Sequence, residues 1–475
     1  MIPGENLVST LFSGIELSLR ALLAQQYAID VTNHNVANAN TPGYSRQGVI
    51  MVPAMPWPPI SMHPPGVRGQ FGTGVLILGV RRFTDAFLLG RLRAAQSLLS
   101  QSTVERDALR EIQGVLNEPG ENGIAAALDA FWDAWQGLTT DPASLALRST
   151  VREAGERLAA LFNTRAGQLN QLRRDLDGQI SANVERINAL ASQVADLNRQ
   201  IVAQLGLGNQ PNDLMDQRDQ VINEITELTG AFVAMQSDGS VTLSIGGHTL
   251  VAGYTAFTLQ AQPDPGNSNL VSVTWMDNGS AVSFRDGEMR GLLESRDTTI
   301  PAQLAELDTL AAELITRVNA QHRLGYGLNN ATGLDFFSGT SAATITISAA
   351  LSDLNNIAAA SAPDSPGDGS NALALAQLRT AQVMNGGTAT FNEFYGAFVA
   401  TIGNLVDDAN AQVNDYQLLT DYLTSQQQSV SGVSLDEEAA NLVKYQRAYE
   451  AAARVLTALD EMADTIINRM GVVGR

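Results

Sequence analysis

The chain reads as mainly α-helical with a small inserted β domain, an α+β multidomain protein of 475 residues. Three observations predict this. An apolar seven-residue repeat runs through each end of the chain, a three-and-four spacing fills most of the middle, and between Ala231 and Met289 the period drops to two. Residues 1–50 with 428–475 are therefore expected to form paired terminal coiled-coil helices, and 51–82 a Pro-rich connector with a short strand. Residues 83–230 with 290–427 should form a helical bundle built from two chain segments, around a β insert at 231–289.

At the N-terminal end Val8, Ile15, Leu22, Ile29 and Val36 fall seven apart, with Phe12, Leu19, Gln26 and Asn33 interleaved. At the C-terminal end Leu435, Leu442, Tyr449, Leu456, Ala463 and Met470 repeat likewise, with Tyr445, Ala452, Leu459 and Ile466 between them. The first helix should run from about Leu7 to Asn38. Asn33, Asn35, Asn38 and Asn40 weaken its end, and Thr41-Pro42-Gly43 supplies a turn. These amides suit either a frayed terminus or hydrogen bonds to neighbouring subunits. A lone hairpin of the two seams buries too little surface to offset the entropy of ordering its backbone. The ends are thus expected to be mobile in the monomer and to become helical on assembly.

Six prolines between Pro53 and Pro65 exclude a helix or central strand and point to an extended connector. Val75 to Val80 then reads as a short strand. From Phe83 to about Leu205 the pattern is helical, broken near Glu118-Pro119-Gly120 and Thr140-Asp141-Pro142. The clearest stripe is Ile187, Leu190, Val194, Leu197 and Ile201, in a helix beginning near Ser149, with Gln193, Asn198 and Gln200 expected to face solvent. A further helix covers Leu214 to Leu228 and stops at Gly230. In its first half Asp213, Asp216 and Asp219 stand three apart. Arg218 among them, and the absence of clustered histidine, favour an ordinary acidic helix start over a metal face.

Alternation at Val241, Leu243 and Ile245, a Gly246-Gly247 turn, and renewed alternation at Val271, Val273 and Trp275 define the β insert. Helices resume near Pro301 with Leu304, Leu307, Leu310, Leu314 and Val318 on one face. Phe391 to about Gln428 forms the last middle helix.

Composition excludes several function classes. The net charge of -20 argues against nucleic acid or an anionic membrane as partner. No cysteine is present, so disulfides, thiolate metal sites and cysteine nucleophiles are absent. Neither a secretory signal nor a membrane span fits the first residues. His34, His63, His248 and His322 are scattered, and no nucleotide-binding or nucleophile motif occurs. No catalytic residue, cofactor or metal is therefore expected. Tyr445 and Tyr449 read as core residues of the C-terminal seam, not as a ligand site. Charged residues make up only 16% of the chain, below the usual quarter or so, which suits close packing of many copies.

The run from Val31 to Gln47, containing Asn38, Asn40, Thr41, Pro42, Gly43, Tyr44, Ser45 and Arg46, resembles the N-terminal motif of the axial proteins of the bacterial flagellum. Gly72 to Val75, Arg82 to Leu88 and Leu92 to Gln96 resemble the segment that follows it, and Asp436 to Leu442 with Tyr445 to Tyr449 resembles the shared C-terminal motif. Asp213 to Gln220, Gly291 to Asp297 and Val318 to His322 with Gly333 to Phe337 are similar to the hook-associated members of that family, which join hook to filament.

The resemblance implies a structural subunit in a ring of copies at the distal end of the hook, without catalysis. Its implied partners are the hook protein, the second hook–filament junction protein and other copies of itself. A cytoplasmic export chaperone binding the C-terminal region is implied too, with secretion to the flagellum through type III export and no cleaved signal. The assembly interface is expected on the seams, at Val8, Phe12, Ile15, Leu19, Leu22, Ile29, Asn33, Val36, Leu435, Leu442, Tyr445, Tyr449, Leu456, Leu459 and Ile466. The alternatives are a hook or distal rod subunit of the same family, or a cell-wall hydrolase carried on axial-type termini.

Overall fold

The heptad periodicity at the two ends produces two long helices, α1 (Glu5–Ala37) and α10 (Leu435–Asp464), packed on each other. The computed structural model describes residues 5–56, 72–120 and 122–466, with the side chains of 5–11 left aside. Leu459 lies against Gly14, while Asn35 bonds Glu438, so the pair runs antiparallel. Ser434 caps α10 by accepting the Glu437 N–H, and Asp436, Glu437 and Glu438 place negative charge at its positive end.

A strand absent from the sequence reading follows the first helix. β1 (Gln47–Pro53) pairs antiparallel with β2 (Val75–Arg82), from Gln47 opposite Arg82 to Pro53 opposite Val75. The connector is expected from residue 51, but Val49, Ile50, Met51 and Val52 are β-branched or long apolar residues with a partner in β2. Pairing over seven residues outweighs the prolines, which begin only at the strand's last position.

The middle begins with α2 (Ala86–Leu116), capped by Asp85, whose side chain accepts the Phe87 and Leu88 N–H groups. α3 (Ile124–Leu138) carries Phe131, Trp132 and Trp135 into the core. α4 (Leu145–Gly206) spans 62 residues and carries Leu158, Phe162, Leu169, Leu176, Ile180, Ile187, Val194 and Ile201 along its buried stripe. It starts four residues before Ser149, because Ser144 follows the Pro142 turn and its hydroxyl accepts the Leu147 N–H as N-cap. α5 (Asn212–Thr229) ends where Gly230 adopts φ 64° and returns its N–H to Thr226 O.

The insert contains a four-stranded antiparallel sheet in the order β3 (Phe232–Met235), β4 (Val241–Ile245), β5 (His248–Ala252), β6 (Thr255–Ala256). A hairpin of β7 (Leu259–Asp264) and β8 (Leu270–Trp275) accompanies it. Val241, Leu243, Ile245, Leu250, Val273 and Trp275 turn inward and join the helical core. Asn198, expected to face solvent, is instead fully buried. Its carboxamide donates to Val241 O and Gly253 O and accepts from Val241 N and Arg218 Nη1, anchoring the sheet to α4. A polar side chain off the apolar stripe is ordinarily solvated. Here it satisfies the peptide groups of a strand that packs against that flank.

The chain returns through α6 (Glu288–Glu294), a π-helical turn over Ser295–Thr299, and α7 (Ile300–His322). A two-strand bridge, β9 (Phe337–Ser338) with β10 (Thr346–Ile347), precedes α8 (Ser370–Gln377). α9 (Phe391–Ser431) starts with a Thr390/Glu393 capping box and runs back along α2 to the start of α10.

Candidate functional site

The Asn-rich end of α1, the motif turn and the start of α10 converge on one polar node. Asn35 is buried, and its Nδ2 donates to Gln47 O at 2.8 Å and to Glu438 Oε2 at 3.0 Å. Its Oδ1 accepts from Gln47 N at 2.9 Å and from the Tyr44 hydroxyl at 2.7 Å. Glu438, only 2% exposed, also accepts from Arg46 Nε at 2.8 Å. Arg46 Nη1 reaches Glu437 at 3.0 Å as well. Burial first, then the charges of Asp213, Asp216 and Glu438, push the Tyr44 phenol well above its ordinary range, which keeps it a neutral donor.

The turn itself is held by short-range bonds. Asn38 Nδ2 donates to His34 O at 3.0 Å, Thr41 Oγ1 donates to Asn38 Oδ1 at 3.1 Å, and Tyr44 N donates to Thr41 O at 3.2 Å. Gly43 adopts φ 74°, and a Cβ there would run into the Gln220 side chain, whose amide donates to Pro42 O. Asn40 is exposed and joins none of these bonds. Asn35 and Asn38 do not fray: Asn35 is bonded to Gln47, Tyr44 and Glu438, and Asn38 to His34 and Thr41.

Beyond the turn, α5 provides a socket. Ser45 N donates to Asp216 Oδ2 at 3.0 Å, Gln47 Nε2 to Asp213 Oδ1 at 2.8 Å, and Asn212 Nδ2 to Gln47 Oε1 at 3.1 Å. Arg82 Nη1 bridges Asp216 at 2.7 Å and Asp219 at 2.9 Å, and Arg93 Nη2 lies 3.3 Å from Asp219. Burial works to lower the Arg82 pKa, but Asp219 and Asp216 outweigh it and hold the guanidinium above its ordinary value. Asp213 stays exposed in the first turn of α5, as an acidic helix start should, whereas Asp216 and Asp219 are largely buried in ion pairs with Arg82. Three-residue spacing puts the carboxylates on one side of α5, where Asp213 meets Gln47, Asp216 meets Ser45 and Arg82, and Asp219 meets Arg82 and Arg93. Arg46 N donates to Ser431 O and Phe83 N to Arg46 O, each at 2.9 Å, so the motif also ties the end of α9 to β2.

The seam residues divide. Ile15, Leu22, Ile29, Leu442, Tyr445, Leu456, Leu459 and Ile466 are half-buried, while Phe12, Leu19, Asn33, Val36, Leu435 and Tyr449 are exposed. Val8 lies among the residues whose side chains are not described, and Met470 and His63 lie outside the described residues altogether. The buried face of α1 is made of small or polar residues: Gly14 against Leu459, then Ser18, Ala24, Ala28, Thr32 and Asn35. On the opposite face Phe12, Leu19, Leu23 and Tyr27, spaced seven, four and four, form an outward apolar stripe, each 43–57% exposed. The seven-residue count merged these two faces into one. Small residues let α10 approach closely, and the large side chains are left on the far side.

Among the described residues no group of three His, Asp or Glu is placed to hold a metal ion, and no helix is long and apolar enough to cross a membrane. His322 is buried in an aromatic cluster with Trp135 and Phe336. His34 and His248 stand apart, each 3.3 Å from a single carboxylate, Asp213 and Asp277.

Residues 109–337 match the family model of the flagellar hook-associated protein FlgK helical domain. Residues 15–44 match the flagella basal body rod protein model, and 425–470 match the C-terminal model of the flagellar basal body rod FlgEFG proteins. Flagellar hook-associated protein 1 of Bacillus subtilis is 31% identical over 98% of this chain and all of its own length. That of Salmonella typhimurium is 28% identical over 96% of this chain and 99% of its own. The flagellar hook junction protein FlgK from Burkholderia pseudomallei shares the fold with a TM-score of 0.64, at 19% identity, covering 72% of this chain and all of that one.

Proposed function

The chain belongs to the flagellar hook-associated protein 1 family, and on that premise we propose how its two ends serve assembly. It is a structural subunit of the bacterial flagellum at the junction between hook and filament. The rod-type models cover only its ends, while the matching helical-domain model is that of a hook-associated protein, which sets aside a hook or distal rod subunit.

The observation that carries the finer reading is the two-faced α1. A helix apolar on one side packs against its own protein. One that covers α10 with small residues and turns Phe12, Leu19, Leu23 and Tyr27 outward has a second face to bury. We assign that face to neighbouring copies in a ring, with the hook protein and the second junction protein contacting the ring's two sides. The half-buried Leu442, Tyr445, Leu456, Leu459 and Ile466 complete burial in the same assembly. Before assembly the C-terminal seam suits an export chaperone, and the chain reaches the flagellum by type III export without a cleaved signal. No catalytic role is assigned.

Replacing Leu19 and Leu23 together by Asp tests this reading. On the outward face the aspartates are solvated in the monomer, so folding by circular dichroism is retained, but they become unpaired buried charges in a ring. The expected result is wild-type folding with loss of junction assembly and of filaments. Full-length filaments from the variant would overturn the assignment.

A further inference from the structure

Asparagine followed by glycine is the dipeptide most open to intramolecular imide formation, because glycine has no Cβ to hinder its nitrogen's approach to the asparagine side chain. The chain has three such pairs, at Asn122, Asn278 and Asn385. The reaction needs two freedoms. The carboxamide must swing over the glycine nitrogen, and that nitrogen must be unbonded so that it can lose its proton.

The fold withholds both freedoms at two of the pairs. Asn122 Oδ1 accepts from Arg157 Nη2 at 3.2 Å, and Gly123 N–H donates to Gly120 O at 3.0 Å. Asn278 Oδ1 accepts from Ser280 N at 2.8 Å, its Nδ2 faces His248 Nε2 at 3.3 Å, and Gly279 N–H donates to Trp275 O at 2.8 Å. At the third pair, among the described residues, only the Asn385 backbone carbonyl is engaged, accepting from Thr388 Oγ1 at 3.0 Å. Gly387 and Thr388 donate their N–H groups to Met384 O at 2.9 and 3.0 Å, which closes the loop and leaves the Gly386 N–H outside these bonds. Asn385 is exposed, with φ 50°.

We propose that Asn385 is the site at which this protein deamidates in its folded state. The deprotonated Gly386 nitrogen attacks Asn385 Cγ, the C–N bond to the side-chain nitrogen breaks, and ammonia leaves with the displaced proton. A five-membered imide results. Water then opens either imide carbonyl, giving aspartate or isoaspartate at position 385 with no oxidant or reductant involved. The loop joins buried Met384 to the Thr390 cap of α9, so the isoaspartyl product places a longer backbone and a new negative charge beside that cap.

The test is a time course of the full-length chain in mildly alkaline buffer. Peptidase digestion and mass spectrometry would follow amide-to-acid conversion at each pair, and enzymatic methyl labelling would identify isoaspartate. Conversion at Asn385 should run several-fold ahead of Asn122 and Asn278 in the folded chain. In denaturant, where all three pairs lose their partners, that lead should collapse. Asn385→Gln should abolish the dominant conversion and leave the other two rates unchanged. Equal rates in the folded chain would overturn the proposal. So would a lead at Asn385 that survives undiminished in denaturant, since local sequence and not the fold would then set it.

Discussion

Asn35 and Gln47 are joined through both ends of one carboxamide: Asn35 Nδ2 donates to Gln47 O, and Asn35 Oδ1 accepts from Gln47 N. A side chain here does what a neighbouring strand would do for the backbone of β1. The same Oδ1 and Nδ2 hold Tyr44 and Glu438, so one residue connects α1, the motif turn, β1 and α10.

Asn35→Ala removes four bonds and leaves buried peptide groups and the Glu438 carboxylate short of partners. A loss of about 2–4 kcal/mol is expected for docking of the terminal helices. Urea titration followed by exchange of the α1 and α10 amides should show earlier unfolding there, with the middle unchanged. Asn35→Asp should be worse, because a carboxylate cannot donate to Gln47 O and would face Glu438.

Arg46→Ala strands the buried Glu438 carboxylate without its guanidinium, which places the expected cost at about 3–5 kcal/mol. Glu438→Gln, which removes the charge and keeps the shape, should cost less. The double variant should fall well short of the summed single losses in a double-mutant cycle. Additive losses would show that the pair does not interact.

His322 gives the middle of the chain a pH dependence. Its Nδ1–H donates to Leu334 O at 2.7 Å and its Nε2 accepts from Ala358 N at 3.0 Å, the neutral tautomer bonded at both nitrogens. Burial pushes its pKa down to about 4, against an ordinary value near 6.5. The unfolded chain therefore takes up the proton first. Stability is complete above about pH 6.5 and falls as pH drops through the window down to about 4, by roughly 3 kcal/mol in all. Denaturant midpoints measured across that window should fall for the wild type, and the histidine's share of the slope should vanish in His322→Gln.

Asn198→Ala should detach the β insert from α4. Val241 loses a partner for both its N–H and its carbonyl, Gly253 O loses its donor, and Arg218 loses an acceptor in a buried site. The expected loss is about 2–4 kcal/mol, read as faster amide exchange in β4 and β5 with α7 protected as before.

The helices were legible because their periodicity is local. Ile187 to Ile201 on α4, and Leu307 to Val318 on α7, face the core as their spacing requires. The turn residues also read correctly: Gly230 stops α5, and Gly246 and Gly247 take positive φ in the β4–β5 turn. What stayed hidden depended on partners distant in sequence. Asp216 looked like a solvated acid until Ser45 and Arg82 arrived at it, and Asn198 like a surface amide until Val241 did. β1 was missed because a strand's partner, here β2 beyond the prolines, decides whether a short apolar run is paired. The role of the motif from Asn38 to Arg46 as a latch between α1, α5, α9 and α10 is a property of the contacts alone.

The sequence by itself determined that both ends are helices, that they share a repeat and that the middle is helical around a β insert. These follow from which residues recur at the period of a helix or strand. Only the tertiary structure decided which side of α1 meets α10. The repeat counts apolar residues, but close packing selects small ones. Ala24, Ala28 and Thr32 therefore turned inward, and Phe12, Leu19, Leu23 and Tyr27 were left facing out.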